Sequence, residues 1–195
     1  MGHRLRHGIR RSGLIFALMI VTVGLPAQPN QNAAGLMQRK LEQLQQNARN
    51  RTSSTTEFTE NEINTWMKSN YVALPEGVKS VRFRGSPGVI VTMARVDFDQ
   101  FVADRRSSNP MLSMFKGEHD VFAIAHARGT HGEGFVDIDS VELDGVEVPR
   151  FVLQLFVDRY LKPKYPNLGL NSRFPLPARV ETASVATHKL VVVQK

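Results

Sequence analysis

The chain has 195 residues, no cysteine and a net charge of +7. Without thiols it cannot use a disulfide framework, thiolate metal ligands, a cysteine nucleophile or a lipoprotein anchor. Four of the 25 basic residues and none of the 18 acidic ones lie in residues 1–27, so 21 against 18 remain beyond, a net +3 with no basic helix, and nucleic acid is not an expected partner.

Residues 1–27 read as a secretory signal peptide. Arg4, Arg6, Arg10 and Arg11 form a basic head, and Gly13 to Leu25 is a 13-residue apolar run, too short to cross a bilayer comfortably. Leu25-Pro26-Ala27 closes the segment. Leu25 is large for a cleavage position, so an uncleaved membrane anchor is the alternative outcome. Gly13 stands where a twin-arginine signal after Arg10-Arg11 wants an apolar residue, which argues against that route. The expected location is the periplasm or cell envelope. The remaining 168 residues suffice for one domain with a real core.

Residues 28–56 read as an amphipathic helix and a polar linker. Met37, Leu41, Leu44 and Ala48 recur at helical spacing, and Asn47 to Thr56 is rich in Ser and Thr. The domain is expected over 57–195. Thr59 and Glu62 form a capping box, with Phe58 and Ile63 placed as a hydrophobic staple, and Ile63, Trp66 and Met67 give the short helix one apolar face.

Val81 and Phe83, the turn Ser86-Pro87-Gly88, and Val89 to Phe98 predict a hairpin whose second strand is apolar on both faces. Residues 99–116 read as a helical excursion or a long mobile loop. A second hairpin joins Val121–Arg128 to Gly134–Leu143, and Asp144-Gly145 turns the chain again. Pro149 then opens the most apolar helix: eight of the eleven residues from Phe151 to Leu161 are apolar, so it must be covered on most sides. Residues 162–177 carry four prolines and read as a surface connection. A hairpin of 179–186 and 190–194 ends the chain.

Chemistry-bearing patterns are sparse. His126 and His131 lie near one another on a strand and its turn, but lack metal-ligand spacing. Asp137 and Asp139 share one strand face, where a hydrolase could use them, yet a solvated face is the simpler reading. No G-x-S-x-G motif occurs, and the glycines at 129, 132 and 134 open no helix that could cradle a phosphate. No enzyme, cofactor or metal site is expected.

Three stretches carry a resemblance: Phe58-Thr59-x-x-Glu62-Ile63-Asn64, DGVEVPRFVLQLFVDRYL at 144–161, and FPLPARVETASVATHKLVVVQ at 174–194. In layout the chain resembles the tubular lipid-binding superfamily, in the small single-module form of bacterial envelopes. That resemblance spans roughly residues 57–194. It implies an elongated, twisted sheet wrapped on helices, an apolar groove for acyl chains, and no catalytic residues.

The expected fold is therefore α+β, with a long curved antiparallel sheet packed on the 151–161 helix and preceded by the signal peptide and the amphipathic helix. The expected function is non-catalytic binding, or transport, of a lipid or similar amphiphile. Phe151, Leu155, Phe156, Met111, Met114 and Phe115 are expected to line the groove, with Trp66 and Met67 closing one end. Arg105 and Arg106 are placed to meet an anionic headgroup, and a weakly basic surface suits contact with a membrane. The alternative is a structural or assembly protein of the envelope that docks a protein partner through the 36–48 helix and strand edges.

Overall fold

The computed structural model describes residues 33–102 and 109–195. The proposed signal peptide and Arg105 and Arg106 lie outside them. Among the described residues no helix is long and apolar enough to cross a membrane.

Helix α1 spans Ala33–Asn50 and buries Met37, Leu41 and Leu44, the stripe its sequence predicts. These side chains share one core cluster with Phe58, Trp66, Val180 and Val192, so the helix is part of the packed body. Its C-terminal end is clipped to the last strand. Gln194, 1% exposed, donates from Nε2 to the Leu44 carbonyl (2.8 Å), and the Ser54 hydroxyl donates to Gln194 Oε1 (2.8 Å).

Strand β1 covers Ser54–Thr59, its first half in the stretch expected to be a polar linker. Only Phe58 of its six residues is buried. The strand exists because β9, Lys189–Gln194, offers a β-branched edge to pair with, not because of its own apolar pattern. Helix α2, Glu60–Met67, follows directly. Next come β2 (Val78–Ser86) and β3 (Val89–Asp97), paired as the expected hairpin. Residues 98–102 form helix α3, and 110–114 a 3₁₀ turn.

Strands β4 (Glu118–Thr130) and β5 (Glu133–Leu143) are joined by His131-Gly132, both at positive φ. Asp144-Gly145 repeats that geometry before the short β6, Val146–Glu147. Helix α4, Arg150–Phe156, continues as a π-helical turn over 157–161, where the Lys162 N–H donates to the Val157 carbonyl (2.9 Å), five residues back. Strand β7, Asn171–Pro175, pairs with β5 inside the proline-rich connection; Pro175 is tolerated because it ends an edge strand. The chain closes with β8 (Val180–Ala186) and β9.

The described residues form one antiparallel, nine-stranded sheet. Its main path runs β1-β9-β8-β4-β3-β2, and β5 attaches to β4, β6 and β7. Strand β4 serves three neighbours because it is long. β3 takes residues 118–126, β8 takes Arg128 and Gly129 beyond it, and β5 takes the other edge. One core cluster joins α4, Phe98, Leu112 and Phe115 to Val96 and Leu143 of the sheet; a second joins α1 and α2 to β1, β8 and β9, and a third, smaller one joins Ala125 and Ala127 of β4 to Val136 of β5.

Candidate functional site: an apolar groove between helix α2 and strands β2 and β3

The groove begins with the capping box. The Glu62 N–H donates to Thr59 Oγ1 (3.2 Å), and the Thr59 N–H donates to Glu62 Oε2 (2.7 Å). Lys40 of α1 donates to both Glu62 oxygens at 2.7 and 2.8 Å, fixing α2 to α1. The other side of α2 covers the free edge of β2. Asn64 donates from Nδ2 to the Phe83 carbonyl (2.8 Å) and accepts the Phe83 N–H (2.7 Å), as a neighbouring strand would. Glu60 accepts the Gly85 N–H at 3.3 Å.

Far along the sheet path, the β8–β9 turn returns to the same edge. The His188 N–H donates to the Gly85 carbonyl (3.0 Å), and the Gly88 N–H donates to the Val185 carbonyl (3.0 Å). The approach is close: a Cβ on Gly85 would lie 3.0 Å from the Ala186 carbonyl oxygen, a contact that the turn would have to give way to accommodate. The space so bounded is a groove of about 330 Å³.

Register explains its lining. Val81 pairs with Ala94, Phe83 with Thr92 and Gly85 with Ile90, so all six lie on one face of the hairpin, and all six line the groove. Thr92, Ala94 and Gly85 are short, and they leave the room that larger residues would fill. The facing wall is Ile63, Trp66 and Met67 of α2; Val185 and Leu190 close one end. The Trp66 indole is held by its Nε1–H, which donates to Gln38 Oε1 (3.0 Å).

Among the lining residues only Glu60, Arg84 and Lys189 carry charge. Lys189 pairs with Glu57 at 2.8 Å, and Glu60 with His188 at 2.7 Å. Burial pushes the Glu60 carboxyl up, but hydrogen bonds from His188 and Gly85 and the charge of Arg84 hold it below the usual carboxylate range. Glu62 behaves alike: burial raises it, and Lys40 and the Thr59 N–H outweigh burial. A lowered folded-state pKa gives stability above the ordinary value of 4.5, lost as pH falls through the folded value. Denaturant unfolding of Glu62→Gln should therefore show lower stability than wild type at neutral pH and a gap that closes as pH drops below 4.5.

Of the eight residues expected to bind ligand, Trp66 and Met67 line this groove. The other six lie around α4. Phe115 and Phe156 are buried in its core, and Met114 packs against them. Met111, Phe151 and Leu155 point outward, at 51%, 57% and 37% exposed. The structure thus does not gather the eight around one cavity. Phe83, Ile90 and Leu190 also line the groove but were not among the expected ligand-binding residues; for Ile90 the signal was the apolar character of both faces of 89–98.

Asp137 is engaged by Asn171, whose Nδ2 donates at 2.7 Å, while Asp139 falls at a register shift of β5 without a ladder partner. Among the described residues no group of three or more His, Asp or Glu could hold a metal. A scan of family models and searches of curated proteins and of solved structures return no match to this chain.

Proposed function

We propose that this protein binds an amphiphile with a single acyl chain, non-catalytically, in the groove between α2 and the β2–β3 hairpin. The observation that carries the reading is an apolar slot walled by Trp66, Met67, Phe83, Ile90 and Leu190, with Arg84 and Lys189 as the cations among its lining residues. At about 330 Å³ it falls at the small end of ligand pockets, a size for one chain and not two. Removing each methylene from water contributes about 0.8 kcal/mol. Arg84 and Lys189 would meet an acidic headgroup, as would Arg105 and Arg106.

The resemblance to the tubular lipid-binding superfamily agrees with this reading, as does a curved sheet that meets itself at Gly85. So does the basic-then-apolar order of residues 1–27, which addresses the protein to the periplasm or envelope, free or anchored by an uncleaved signal. The second reading is an envelope assembly protein. Its support is the outward-facing Phe151 and Leu155 of α4, since the apolar stripe of α1 is consumed in the core.

Purified protein extracted with organic solvent and analysed by lipid mass spectrometry should yield one class of single-chain amphiphile, or take up an added fatty acid stoichiometrically. Protein free of lipid and unable to take up any would sink the reading.

A further inference from the structure

On the face of the sheet turned away from the groove, β4, β5 and β7 carry a second recess, of about 480 Å³. The faces are distinguished by register: Ile90, in the groove, pairs with Ala125, whereas Val89 pairs with His126, which lines the recess. Two cross-strand rows build it. Arg128, Phe135 and Arg173 stand in one row, and His126, Asp137 and Asn171 in the next.

The guanidinium carbons of Arg128 and Arg173 lie 5.3 and 5.2 Å from the centre of the Phe135 ring, each reaching it from a neighbouring strand. They are therefore separated by no more than about twice that distance. The ring restrains both side chains through cation–π attraction, which lowers the ordering cost of binding a ligand between them. Neither arginine has a carboxylate partner among the described residues. The acid of the recess is already engaged: Asp137 accepts from Asn171 and lies 3.6 Å from Arg150, which itself donates to the Ile138 carbonyl (2.8 Å). The Asp137 carboxylate is thus taken up by Asn171 and Arg150, and among the described residues Arg128 and Arg173 have no ion-pair partner.

We propose that this recess is an anion site for a phosphate-bearing ligand, with Arg128 and Arg173 as its two forks and the diphosphate group as the best-matched span. A guanidinium presents paired N–H donors that match phosphate oxygens, and two forks held on one ring can grip two phosphoryl groups at once. His126 and Asn171 stand beside the forks as further hydrogen-bonding groups. Phosphoryl oxygens could come from a soluble diphosphate or, one phosphate at a time, from anionic lipid headgroups, and the charge-assisted hydrogen bonding at the arginines is the same in kind. The site lies on the opposite sheet face from the groove and does not rest on the amphiphile reading.

The test is a calorimetric titration of the full chain with inorganic pyrophosphate and with orthophosphate, beside sedimentation with phosphatidylcholine vesicles containing phosphatidylglycerol. Arg128→Gln/Arg173→Gln is compared with wild type and with the charge-matched control Arg39→Gln/Arg49→Gln. Saturable pyrophosphate binding, stronger than orthophosphate and weakened at least about tenfold in the recess variant alone, supports the site and a soluble source. Vesicle binding lost only in the recess variant supports it with a headgroup source. Binding that is absent in both arms, or that falls equally in the control, overturns it. All four arginines are exposed, so the variants should fold, and an unchanged melting curve verifies this.

Discussion

Phe156→Ala should lower the unfolding free energy by about 3–5 kcal/mol, the range for emptying a well-packed aromatic site. Phe156 is 7% exposed and sits among other rings: Phe115 stacks on it at 4.2 Å, Phe98 meets it edge-on at 5.5 Å, and Tyr160 is tilted at 5.2 Å. Those contacts come from α3, the 3₁₀ region and the π turn, so truncation leaves a hole that several elements must collapse to fill. Urea unfolding measures the loss. A value below about 1 kcal/mol would mean that Phe156 borders open space, as the sequence reading had it, and that the core around α4 is looser than described.

Thr92→Phe should leave the fold intact and weaken amphiphile binding by at least about tenfold, or 1.4 kcal/mol. Thr92 is half-buried in the middle of β3, opposite Phe83, and it faces the groove. A phenylalanine suits a strand and would occupy the space left by the short side chains of Thr92 and Ala94. Fatty-acid titration beside a melting curve separates the two effects. Unchanged affinity with an unchanged melting temperature would place the ligand elsewhere.

Features set by neighbours in sequence were legible from the residues. The Thr59–Glu62 capping box is a three-residue relation, and the turns at Pro87-Gly88 and Asp144-Gly145 carry their own backbone preferences. Strand β1 was not legible, because a segment with a single buried residue, Phe58, becomes a strand only when β9 is beside it. Strand β7 was hidden by the prolines around it, although Pro175 ends an edge strand and breaks no ladder.

The groove shows the same limit. The apolar excess of Phe151 to Leu161 was visible, but its use was not: Phe98, Leu112, Phe115 and Leu170 arrive from distant parts of the chain and fill the space beside α4. The cavity opens instead where β3 has apolar residues on both faces and one of them, Ile90, Thr92 and Ala94, is covered by α2 without being filled. Which of two oily surfaces is satisfied depends on contacts between distant residues, and periodicity does not encode them.

Trp66 is the single tryptophan of the chain and forms part of the groove wall, so its fluorescence reports on occupancy without a label. A brominated single-chain fatty acid, whose heavy atoms quench indole on contact, should quench Trp66 saturably at a one-to-one ratio, and the Thr92→Phe variant should lose that saturable phase. Quenching that fails to saturate, or that is the same in the variant, would contradict an acyl-binding groove beneath α2.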